Sequence, residues 1–127
     1  MLISDLKSDG LFDETLIVAI GEFGRTVGPL NSQAGRDHHL QQAVLMAGAK
    51  IRGQRAIGKT DSAGGSTDSP GWSRERDIRP EDIDATIYSA LGINWATTRR
   101  DDPLGRGFDY IPFAASQDLY GPIHELW

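Results

Sequence analysis

The stretch Thr15-Leu16-Ile17-Val18-Ala19-Ile20 decides how this chain reads. It runs almost without a polar residue and is rich in β-branched side chains. That pattern predicts a strand buried on both faces, as at the centre of a largely parallel sheet. The run stops at Gly21-Glu22-Phe23-Gly24-Arg25-Thr26, a polar loop punctuated by glycine. Open α/β sheets commonly build ligand sites at the carboxyl ends of their strands. Upstream, Leu2, Ile3 and Leu6 have helical spacing, with Asp5, Lys7 and Asp9 on the other face and Gly10 placed to end the helix.

Downstream, a loop rich in Gly, Asn and Ser leads to Gly35-Arg36-Asp37-His38-His39. A second apolar run, Ala43-Val44-Leu45-Met46-Ala47, predicts another core strand, and Arg55 to Ile57 a short third one. From Asp61 to Ser73 the composition turns to Gly, Ser, Asp and Pro, so 61–73 is expected to be a flexible loop. The clearest helix runs from Pro80 to Leu91. Pro80 suits its first position, Glu81 and Asp82 favour its positive end, and Gly92 can supply a left-handed stop. Ile83, Ile87, Tyr88 and Leu91 would form its buried stripe. There is no internal repeat and no linker. Alternating strands and helices indicate an α/β fold in one domain spanning 1–127.

At 127 residues the chain can build a core. Its 13 Lys and Arg against 18 Asp and Glu give a net charge of −5. No clustered cationic face is in view, so a nucleic-acid partner is not expected. Cysteine is absent, which excludes disulfides, thiolate metal sites and Cys nucleophiles. No apolar run reaches the ~20 residues that span a bilayer. Met1 to Gly10 lacks the build of a signal peptide and reads as the middle of a folded domain.

The chemistry-bearing residues lie in the two strand-end loops. Asp37 and His38 offer a carboxylate and an imidazole beside a core strand, and Glu22 could add a second carboxylate, a donor set suited to a divalent metal. The alternative is a solvated polar loop. Arg25 and Arg36 could hold an anion through paired N–H donors, or could form salt bridges to Glu22 or Asp37. No residue is assigned as catalytic. His124, Trp72, Trp95, Tyr120 and Trp127 stand alone in their segments, where packing is the default reading. Gly53 to Thr60 fits the phosphate-binding pattern G-x-x-x-x-G-K-[ST]. That loop needs a helix directly after it, and Asp61-Ser62-Ala63-Gly64-Gly65-Ser66 cannot form one. The match is read as accidental.

Several motifs in order resemble the bacterial sulfatase-like family DUF1501. They are Gly21-Glu22-Phe23-Gly24-Arg25-Thr26, Gly35 to His38, Leu45 to Gly48, Gly58 to Asp61, Pro80 to Asp82, Ala85 to Tyr88, Leu91 to Ile93 and Asp102 to Arg106. The resemblance implies the C-terminal part of an alkaline-phosphatase-like α/β domain, with mostly parallel central strands and flanking helices. In active members of that superfamily, a nucleophile and one or two divalent metals cleave a phosphate or sulfate ester. His38 matches a late metal-binding His. Glu22-Phe23 falls where active members carry Asp-His, and Phe23 cannot bind a metal. The implied cofactor is a divalent ion (zinc, calcium or manganese), and the implied substrate an anionic ester of the full-length relative. The nucleophile region has no counterpart here, so the chain is expected to be a segment without turnover of its own. Relatives are often exported, yet no export signal is legible, so the compartment stays open. Apolar strands lacking their neighbours would favour a homo-oligomer.

Overall fold

The computed structural model describes residues 1–113 and 118–127, which divide into two compact units. The first comprises 1–77 and 125–127, and the second 78–124.

In the first unit, helix α1 (Leu2–Ser8) begins the chain where the apolar spacing predicts it. None of its residues is buried, and Leu2 and Ile3 remain exposed. Strand β1 (Leu16–Ile20) follows, then β2 (Gly24–Arg25), β3 (His38–His39) and β4 (Val44–Gly48). These four strands form one long antiparallel excursion. β1 pairs with β4 from Leu16 opposite Gly48 to Ile20 opposite Val44. Beyond that ladder β2 pairs with β3, Gly24 opposite His39 and Arg25 opposite His38. Three residues separate the outgoing strands and four the returning ones, so the register shifts by one residue between the two ladders. An extra residue on one strand bends and twists a ribbon locally.

This corrects the expected mostly parallel sheet. β1 and β4 occur where predicted, but they pair antiparallel in a sheet of two strands. The physical reason is that an apolar run reports potential burial and carries no information on partner direction. Here the chain turns back on itself between Thr26 and Asp37, so the second run returns beside the first. Burial on both faces is corrected too: no residue of β1 is fully buried, and Ile20 is exposed.

The strand expected at 55–57 is displaced. β5 (Lys59–Thr60) instead pairs antiparallel with β6 (Thr67–Ser69), so part of 61–73 is a hairpin. Lys59 reaches Asp68 at 2.7 Å across that hairpin. No helix directly follows Thr60, since the next element is strand β6, and the phosphate-loop pattern therefore lacks the amides it would need. The small core of this unit includes Trp72 and Leu126, with the Trp72 indole donating to the Arg76 carbonyl.

The second unit is organised by helix α2 (Pro80–Ala90). Its buried face is partly polar, which the apolar stripe did not foresee. Asp82, Ile83, Ala85 and Thr86 are buried, whereas Leu91 is exposed. The Asp82 carboxylate accepts from the Arg79 amide at 2.8 Å and from the Gly121 amide at 3.0 Å. The Thr86 hydroxyl donates to the Asp82 carbonyl and accepts from the Ile123 amide at 3.0 Å. Buried polar groups are tolerated when paired in this way. Ile111 and Ile123 complete the apolar interior beside Ile83 and Ala85. β7 (Thr98–Arg99) and β8 (Phe108–Asp109) form a fourth antiparallel pair. The secondary structure is thus mixed helix and strand, with every sheet two-stranded and antiparallel among the described residues. No described helix is long and apolar enough to cross a membrane.

Candidate functional site

The residues singled out for chemistry gather at the far end of the first unit's ribbon. β2 and β3 hold Arg25 directly opposite His38, and opposed residues project from the same side of an antiparallel pair. Gly24 permits the close approach this requires. A Cβ built there would stand 1.8 Å from the Gln41 carbonyl oxygen and 3.1 Å from that of His39. The Gly in Gly21-Glu22-Phe23-Gly24-Arg25 is therefore a steric necessity of the ribbon.

Both arginines are engaged by backbone. The Arg25 guanidinium donates to the Arg36 carbonyl at 3.0 Å. Arg36 in turn donates to the carbonyls of Thr26 at 2.9 Å and Gly28 at 2.8 Å. Neither makes an ion pair with a carboxylate among the described residues. These bonds use one terminal nitrogen of each, and a guanidinium carries five N–H donors.

Asp37 is held by a residue to which the sequence assigned no role. Asn31 donates from its side-chain amide to the Asp37 carboxylate at 2.8 Å. Its side-chain oxygen accepts from the amides of Gln33 at 3.0 Å and Gly35 at 2.9 Å. Asn commonly closes turns through such local bonds, and that habit is the only signal that could have found it. The Thr26 amide donates to the Asp37 carbonyl at 3.1 Å, closing the loop at its base.

The exposed imidazole of His38 stacks on Phe23, with ring centroids 3.9 Å apart and an interplanar angle of 28°. The Arg25 guanidinium also lies over the Phe23 ring, 4.7 Å from its centroid. Glu22 is exposed in the bend between β1 and β2. The structure thus brings Phe23, Arg25, Arg36, Asp37 and His38 into one ribbon end, with Glu22 in the adjoining bend.

Asp61 adds a second organised turn nearby. Its carboxylate accepts from the amides of Ala63 at 2.9 Å and Gly65 at 2.8 Å, and from the Ser66 hydroxyl at 2.7 Å. The Gly65 amide, then the Ser66 hydroxyl, are the chief causes that hold this carboxyl below its ordinary pKa of 3.8. A Cβ at Gly65 would lie 3.4 Å from an Asp61 carboxylate oxygen and 3.9 Å from His39 Nε2, so both side chains flank the same glycine.

As a metal centre the gathered donors fall short. Among the described residues, no three His, Asp or Glu side chains stand together so as to hold an ion. One Asp37 oxygen is already committed to Asn31. An ion would need ligands beyond these.

The sequence of residues 1–108 matches the family described as "Protein of unknown function (DUF1501)". The chain belongs to that family. The match takes in all of the ribbon end, the Asp61 turn and helix α2. No curated protein and no solved structure matches the chain.

Proposed function

We propose that this DUF1501 chain is the C-terminal segment of a sulfatase- or phosphatase-like metal hydrolase domain, contributing part of an anion and metal site and having no turnover by itself. The observation that supports this reading is the ribbon end, where Arg25, Arg36, Asp37 and His38 converge beyond the carboxyl end of β1. Guanidinium N–H donors suit the oxygens of a phosphate or sulfate ester. His38 and Asp37 would supply two donors toward a divalent ion such as zinc, calcium or manganese, and Glu22 a third if its bend brought it in. With the donor set incomplete, no bond-breaking step is assigned to this chain.

A second reading is favoured by the bonds of the two arginines and Asn31. All three make bonds that close the loop at Thr26 to Asp37, as in a structural or binding module that holds no metal. The two readings part on a metal titration. Calorimetry with Zn²⁺ on the chain and on His38→Ala should show binding weakened at least several-fold in the variant. Equal and negligible heats in both proteins would favour the metal-free module. Metal-dependent hydrolysis of a chromogenic phosphate or sulfate ester by the chain would overturn the statement that it has no turnover.

A further inference from the structure

An exposed histidine on a two-residue strand would ordinarily sample several side-chain rotamers, since nothing but solvent surrounds it. His38 is not in that position. Its backbone is fixed opposite Arg25, and its ring lies against the face of Phe23 at 3.9 Å and 28°. Stacking of this kind uses the face of the imidazole. The two ring nitrogens and their lone pair lie in the ring plane, at its edge, and are not consumed by the contact. Among the described residues, neither nitrogen takes part in any hydrogen bond that would orient the ring instead.

Phe23 is itself confined. It precedes Gly24, whose close approach to the Gln41 and His39 carbonyls fixes the start of β2. Its ring also lies under the Arg25 guanidinium, and Arg25 is tied to the Arg36 carbonyl. A confined aromatic ring and a fixed strand pairing together leave the imidazole one favoured direction.

We propose that Phe23 is a positioning residue for His38: its ring holds the imidazole by the face and so presents both ring nitrogens, unspent, to an incoming ligand. A residue that cannot itself bind a metal or move a proton would thereby set the direction of one that can. The usefulness of this for metal binding rests on the reading of His38 given above; the orientation does not.

Nuclear magnetic resonance on the 127-residue chain without metal tests it. In the wild type the His38 Hδ2 and Hε1 signals should lie upfield of those of His39 and His124, and the χ1 couplings should report one rotamer. Phe23→Leu should average those couplings while the cross-strand contacts of Gly24 with His39 and of Arg25 with His38 persist. Phe23→Tyr should restore the single rotamer. Averaged couplings in the wild type, or a single unchanged rotamer in Phe23→Leu, would overturn the proposal. Zn²⁺ added afterwards separates the two ideas. A several-fold weaker affinity in Phe23→Leu, retained in Phe23→Tyr, is expected if His38 is a ligand. Equal lack of binding in all three proteins would sink the metal reading alone, since the couplings decide the positioning.

Discussion

Two residues at the ribbon end show how far a side chain's type departs from its use. Arg25 and Arg36 look like anion ligands or salt-bridge partners, yet the bonds they make are to main-chain carbonyls of the loop they flank. Asp61 looks like one more polar residue in a loop, and it organises a turn through three accepted bonds. Those bonds stabilise the ionised carboxylate and lower its pKa below 3.8. Because the folded value lies below the unfolded one, the stabilisation is fully present above 3.8 and is lost as pH falls through the folded value. A carbon-detected titration of the Asp61 carboxyl should therefore give a midpoint below 3.8, with the Ala63 and Gly65 amides shifting in step. A midpoint at or above that value would refute the organised turn. Asn31 was legible only as a loop polar residue, although its partners Gln33, Gly35 and Asp37 lie in the same loop. Phe23 was legible only as a lost ligand, because His38, which it meets, lies on another strand.

At the scale of elements, helix α2 was the most legible part of the chain. Pro80 starts it, as its fixed φ favours, and the Asp82 carboxylate reaches back to the Arg79 amide. Its end is equally local. Gly92 adopts φ +72°, the Gly92 amide donates to the Ser89 carbonyl at 3.0 Å, and the Ile93 amide donates to that of Tyr88 at 2.9 Å. This is the paired bonding of a Schellman ending. A Cβ at Gly92 would meet nothing within 4 Å, so substitution there carries only the conformational cost. Gly92→Ala should destabilise the protein by about 1–2 kcal/mol in urea unfolding, and Gly92→Asn by less, since Asn visits this region more readily. Equal stability of the Ala variant would contradict the assigned ending. The strands were legible in position and not in direction. The runs at Leu16–Ile20 and Val44–Gly48 announce themselves by composition, whereas their antiparallel pairing depends on how 21–43 folds back.

For the molecule as a whole, the first unit presents a two-stranded apolar ladder whose outer edges pair with no further strand among the described residues. Ribbons of two strands are marginal in water unless further strands or a helix cover them. Ile20, Leu45, Leu2 and Ile3 remain exposed on the same unit. We therefore expect the isolated chain to self-associate, with sedimentation velocity showing species heavier than the monomer and a concentration-dependent distribution. A single monomeric boundary across concentrations would count against it. Replacing Leu45, a β4 residue with 55% of its surface exposed, by Lys should shift the distribution toward monomer.

The sequence by itself determined the apolar runs that become β1 and β4, the bounds and caps of α2, and the ordered motifs by which the chain is placed in its family. Each of these is local: a composition, a spacing, or a bond between residues a few positions apart. Only the tertiary structure decided that the strands run antiparallel, that Arg25 and Arg36 close a loop, that Asp82 and Thr86 are buried, and that Phe23 lies against His38. These depend on partners distant in sequence, such as Gly121 for Asp82, and no local pattern encodes which distant group a side chain will meet. The Thr15 to Ile20 run was thus read correctly as a strand, while its place in a sheet was set by the fold of the twenty-three residues after it, 21–43.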